Sequence, residues 1–395
     1  MAQSISLPPI QARAVAMGQE VPDSIPWTIW LMMAGVASGV IGGMWDISWH
    51  MSIGRDTFWT PAHIMIQLTG VLVGIACAYM ILSTTFGAEP AAQGTSVKIW
   101  GFRGPLGAFI AVWGCIAMLT SAPFDNWWHN AYGLDVKIVS PPHTLLSLGS
   151  FAIKVGAMAL IAGLMNRASE NLRRRLMWLI LAIGALCVAQ MGLILTNSTW
   201  PINMHNAQCY VAVALGIPAV LVAPAWGSGW RWGSTAVAAI YTAILLAFEW
   251  ILPLFPAEPK LGPVYQHITH LVPLHFPLLL IVPAVLLDLI WMNKENWNRW
   301  LLAVITGPVF LLSFMAVQWP FANFLMSPAA RNRVFGMAYF AYFDPATYLY
   351  DPYKFQLTEK TVGQFWTTIA IGILGAILMS RLGFAWGDWM RRMRR

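Results

Sequence analysis

Two stretches of this chain place an aspartate and two histidines at spacings that suit a metal ion. Asp46 and His50 are four residues apart, as are Asp125 and His129, so on a helix each pair shares a face and converges on one point. Further on, Pro61-Ala62-His63 and Pro141-Pro142-His143 each deliver another imidazole. Both segments read D-x3-H-x3-G-x-D and then P-x-H, differing by one residue between the second Asp and the Pro. This match predicts a duplicated helix-loop-helix hairpin. Gly54 and Gly133 let the chain turn sharply, and a proline suits the first turn of the following helix, which returns His63 or His143 to the level of the first pair. Two imidazoles and one carboxylate leave coordination positions open for water, oxygen or substrate, and suit copper, iron or zinc. Asp56 and Asp135 are expected either to fix a histidine tautomer or to serve as alternative ligands. The competing reading is that the Asp-His pairs only tie each hairpin together by hydrogen bonds.

Other residues invite chemistry less specifically. Glu249, His267, His270 and His275 form a looser group that reads as a further metal site, part of a redox or proton path, or interfacial histidines bonded to loop carbonyls. His205 alone reads as structural. Lys154 follows His143 by eleven residues, about 16 Å along a helix and so close to the middle of a bilayer. A charge there costs at least a few kcal/mol unless it faces a partner or water inside the bundle, which suggests a proton path, an anionic partner or a backbone carbonyl. Cys77, Cys115, Cys187 and Cys209 include no CxxC pair and read as small packing residues.

These residues need positioning elements, and the composition says what those are. The chain of 395 residues is 58% hydrophobic and 10% charged, which excludes an ordinary soluble domain. Apolar stretches at 27–49, 62–86, 104–124, 142–165, 174–196, 206–227, 233–255, 269–292, 298–322 and 364–386 are each long enough to cross a hydrocarbon core of about 30 Å. Their length and uniform apolarity predict an all-α polytopic transmembrane bundle of about ten helices rather than a β-barrel. The chain divides into a polar segment 1–26, the two hairpins at 27–165, further spans at 166–326, an outer loop or cap at 327–363, and a last span with a basic tail at 364–395. The first 26 residues lack a basic, then apolar, then small-residue pattern, so the first span is expected to direct insertion itself. On that topology fifteen Lys and Arg residues fall on one side and seven on the other, which predicts cytoplasmic termini. All eight histidines then lie in or near outer connections, on the periplasmic side if the chain resides in a bacterial inner membrane. The net charge of +7 is accounted for by this bias and calls for no nucleic-acid partner.

Asp46, His50 and His63 resemble the D-x3-H-x12-H ligand pattern of the C subunit of copper membrane monooxygenases, the particulate methane and ammonia monooxygenases. Asp125, His129 and His143 match it with one extra residue. The resemblance is confined to the motif, which occurs twice here and once in the family subunit. It implies a copper site in the membrane, a copper-dependent oxidoreductase or a subunit of one, and oxygen-dependent oxidation of a small apolar substrate. It also implies an external electron donor, and companion membrane subunits or a homo-oligomer besides lipid. Two other classes remain open: a copper-handling or transport protein, and a structural or electron-transfer subunit. Haem ligation fits less well, because a bis-His haem has no need of a carboxylate one turn away, and no CxxCH is present.

Overall fold

A computed structural model describes residues 24–54, 59–87, 96–133, 139–198, 204–260, 268–336 and 359–394. Ten helices make up almost all of it: α1 Trp27–Ser52, α2 Pro61–Phe86, α3 Leu106–Tyr132, α4 Pro141–Met165, α5 Glu170–Ser198, α6 Ala207–Ser228, α7 Gly233–Ile251, α8 Ile281–Trp291, α9 Arg299–Leu325 and α10 Val362–Arg392. All but α8 are long and apolar enough to cross a membrane. The sole sheet among the described residues is a short hairpin, β1 Val97–Ile99 and β2 Phe102–Gly104, antiparallel and turned at Trp100 and Gly101, both at positive φ. Residues 337–358, which make up most of the expected outer cap, lie outside the described residues.

Small residues set the helix spacing in the two hairpins. A Cβ added to Gly35 of α1 would meet Val73 and the Thr69 carbonyl of α2, and one added to Gly42 would meet the Ile66 amide nitrogen at 2.7 Å. Gly114 of α3 likewise touches Ile153 and the Gly149 carbonyl of α4, while Gly107 and Gly156 close the same pair nearer its other end. Backbones that approach this closely leave room only for hydrogen, the usual device where lipid supplies no hydrophobic drive between helices. Elsewhere the surface is apolar: Ile371, Leu374, Leu378 and Leu382 form an exposed stripe on α10, the face a membrane helix turns to lipid.

The eighth expected span, 269–292, departs from a full helix. Only Ile281–Trp291 is helical, and residues 268–280 have no regular secondary structure apart from a bridge at His270. Pro273 and Pro277 explain this, because each lacks an amide donor and disfavours helical backbone in the residue before it. Irregular backbone at membrane depth is tolerated where protein satisfies it. Ser48 Oγ donates to the Val272 carbonyl, Ser52 Oγ accepts from the Val272 amide, the Tyr241 hydroxyl accepts from Leu278, and Gln318 Oε1 accepts from Leu279.

The end of the bundle opposite the Asp-His motifs is locked by polar side chains. Trp226 lies between Arg299 and Arg391, with the guanidinium carbons 4.7 and 4.5 Å from its ring centre, and donates to Asp388 Oδ1 at 2.8 Å. Arg299 grips both oxygens of the same carboxylate. Asp288 of α8 accepts from the Ser234 and Thr235 amides and so caps α7 across space.

Candidate metal site

The helices carry the motif residues further than the apolar spans alone suggest. α1 continues through Asp46 and His50 to Ser52, and α3 continues past Pro123 through Asp125 and His129 to Tyr132. Both helices are followed by a glycine at positive φ, Gly54 at 95° and Gly133 at 84°, a conformation that penalises any side chain. α2 and α4 then start on Pro61 and Pro141, and the Ser140 hydroxyl caps α4 by accepting from the His143 amide at 3.4 Å. Asp56 and Asp135 lie outside the described residues.

Asp46 is the hub of the first set. Its Oδ1 lies 3.1 Å from His63 Nε2 and 3.7 Å from His50 Nε2. One ligand atom from each of the three residues can be chosen so that all lie within 4.8 Å of one another, the one such group among the described residues. Atoms each about 2.0–2.2 Å from a single ion sit roughly 3–3.5 Å apart, so the two contacts of Asp46 Oδ1, at 3.1 and 3.7 Å, are close to ligand spacing. Hydrogen bonding accounts for the hub less well. Asp46 Oδ1 is buried and accepts no hydrogen bond, despite its closeness to His63 Nε2, and an unsatisfied buried carboxylate oxygen costs about 1–3 kcal/mol or more.

In the second set the histidines divide the carboxylate between them. His129 Nε2 lies 3.3 Å from Asp125 Oδ2 and His143 Nε2 lies 3.5 Å from Oδ1. Asp125 Oδ1 is again buried and accepts no hydrogen bond. The side chains of both sets are partly exposed, which gives an ion a way in from the surface.

The remaining described candidates form no metal-ligating group of three with these sets or with one another. His270 bridges to Pro256, and its Nδ1 lies 2.9 Å from Thr269 Oγ1. His275 belongs to the irregular stretch before α8, and His267 lies outside the described residues. Glu249 is fully enclosed near the end of α7 against Gly336, and neither oxygen has a hydrogen-bond partner. His205 Nε2 is 2.7 Å from Asn323 Oδ1, and its ring packs edge-on against Trp319. Burial there pushes its pKa below the usual imidazole value, against the opposing pull of Asn323. All four cysteines are buried.

Spacing alone could not reveal the pocket beside the motifs. A cavity of about 140 Å³ is lined by Asp46 from the first set, His143 from the second, and Lys154, Ser150 and Gln190 deeper in the bundle. Lys154 is 1% exposed, and its Nζ donates to Ser150 Oγ at 2.7 Å and Gln190 Oε1 at 2.6 Å. His143, Ser147, Ser150 and Lys154 follow the i, i+4, i+7, i+11 rhythm of one helix face, and that periodicity is the signal by which sequence reading could have grouped them.

No protein-family model matches the chain, and neither curated proteins nor solved structures give a match.

Proposed function

We propose that this integral membrane protein binds copper through Asp46, His50 and His63, with Asp125, His129 and His143 as a second ligand set, and that it is a membrane oxidoreductase or a subunit of one. The observation that carries the reading is the approach of two imidazole nitrogens to one partly buried carboxylate whose Oδ1 accepts no hydrogen bond, made in both hairpins. The matching contacts of Gly35 with Val73 and Thr69, and of Gly114 with Ile153 and Gly149, support a duplicated unit. Two imidazoles and a carboxylate suit iron and zinc as well as copper; the higher intrinsic affinity of such sites for Cu(II) and the motif's resemblance to the copper monooxygenase subunit support copper.

Bound copper would supply one-electron chemistry and open positions for oxygen. The protein's own residues do the holding. Asp46 brings the negative charge that draws a cation to the surface, His50 follows it one helical turn on, and His63 closes the set from the neighbouring helix. The side is proposed to be periplasmic, because the opposite end carries the Arg-rich helix ends, and both termini are proposed to be cytoplasmic. The resemblance to the copper monooxygenase subunit supports oxygen-dependent chemistry with an external electron donor and companion subunits.

Metal analysis tests the proposal. Protein purified in nanodiscs and reconstituted with copper, iron or zinc is expected to retain copper stoichiometrically. His50→Ala and His129→Ala are each expected to lose the copper of their own set. Retention of all bound copper in both variants, or no retained metal in the wild type, would reduce the motifs to structural ties.

A further inference from the structure

The cavity between the two ligand sets has a composition of its own. One wall is the polar face of α4, where His143, Ser147, Ser150 and Lys154 descend about 16 Å into the bundle. The facing walls are apolar, with Val40, Met44, Ile47, Ile66 and Met118 among their residues. A volume of about 140 Å³ spread along that depth makes a narrow slot. An apolar cavity of similar volume holds about six non-hydrogen atoms.

Lys154 at its floor has only neutral hydrogen-bond partners, Ser150 and Gln190. Gln190 is itself fixed, since its Nε2 donates to the Ser147 carbonyl at 3.1 Å and its Oε1 also faces Ser150 Oγ. Dipoles alone compensate a buried ammonium poorly, and an anion within reach stabilises it far more. The aspartate that lines the slot, Asp46, belongs to the mouth, where it faces His50 and His63.

We infer that the slot is a binding site for a small unbranched organic anion of the carboxylate class, its head at Lys154, Ser150 and Gln190 and its apolar tail directed toward Asp46 and His143. The inference deepens the metal reading, because the tail of such a molecule points from Lys154 toward the ligand sets. The anion contact itself requires no metal.

The test therefore uses full-length protein in nanodiscs, stripped of metal by a chelator, with butanoate as probe and butanamide as its neutral counterpart. Saturation-transfer NMR is expected to show contact to the butanoate methyl group, and at least tenfold weaker binding of butanamide. Lys154→Met is expected to abolish the butanoate signal and Lys154→Arg to restore part of it. Gly43→Leu provides a second block that leaves the lysine intact. A Cβ there meets nothing nearer than Leu193 Cδ2 at 4.0 Å, so the new side chain grows into the slot. Equal binding of butanoate and butanamide, no binding of either, or butanoate binding that survives both Lys154→Met and Gly43→Leu would overturn the inference. Each of these results leaves the copper measurement unaffected.

Discussion

Individual side chains in this protein separate into those that converge and those that are merely buried. Asp46 and Asp125 each gather two imidazole nitrogens, and ligand imidazoles must be deprotonated. Copper binding to either set should therefore release protons and weaken as pH falls. Calorimetry at a pH below the ordinary imidazole pKa, in buffers of different ionisation enthalpy, reads the released protons, and an enthalpy independent of buffer there would contradict imidazole ligation. Glu249 belongs to the second kind, because its two buried oxygens find no donor. Glu249→Met should leave copper content unchanged and stabilise the protein by about 1–3 kcal/mol. Thermal unfolding in detergent checks this, and destabilisation of similar size would show that the carboxyl has a structural partner. The two hairpin sets were legible as spacing, since i, i+4 pairs followed by Pro-x-His encode their geometry locally. The slot beside them was not, because Gln190 reaches Lys154 from another helix across 36 positions, and no local pattern marks that pairing.

At the scale of elements, the metal sets depend on helices held closer than side chains would allow. Gly42 sits one turn before Asp46, and a Cβ there would collide with the Ile66 amide nitrogen and the Ala62 carbonyl. Gly42→Val should push α1 from α2, separate Asp46 from His63, and remove the first copper while leaving the second. Metal content per protein measures this directly, and unchanged occupancy would show that helix spacing does not set the site. Nine of the ten expected spans correspond to long helices because their apolar length suffices. The eighth does not, since Pro273 and Pro277 break it and distant side chains take over its backbone bonds. Gln318→Leu, which strips the acceptor from the Leu279 amide, should cost about 1–3 kcal/mol. No measurable loss in unfolding experiments would mean that this amide finds another acceptor.

For the whole molecule, helix alternation brings the described histidines to one end of the bundle and the Trp226, Arg299, Arg391 and Asp388 lock to the other. The basic bias of that second end underlies the proposed orientation. The four native cysteines are buried, so single added cysteines can report sidedness. A Trp59→Cys variant should react with an impermeant maleimide from the periplasmic side and a Trp100→Cys variant should not; the reverse pattern would invert the topology. The bundle itself was legible from hydropathy, whereas the packing of α6 against α10, and of α8 against α7, depends on contacts that no single span encodes. The central claim is that copper is held by Asp46, His50 and His63, and pulsed electron paramagnetic resonance of the Cu(II)-loaded His129→Ala variant addresses it most directly. The account predicts modulation from two imidazoles on one copper, falling to one when His63→Ala is added. Modulation absent from the start, or unchanged by the loss of His63, would contradict it.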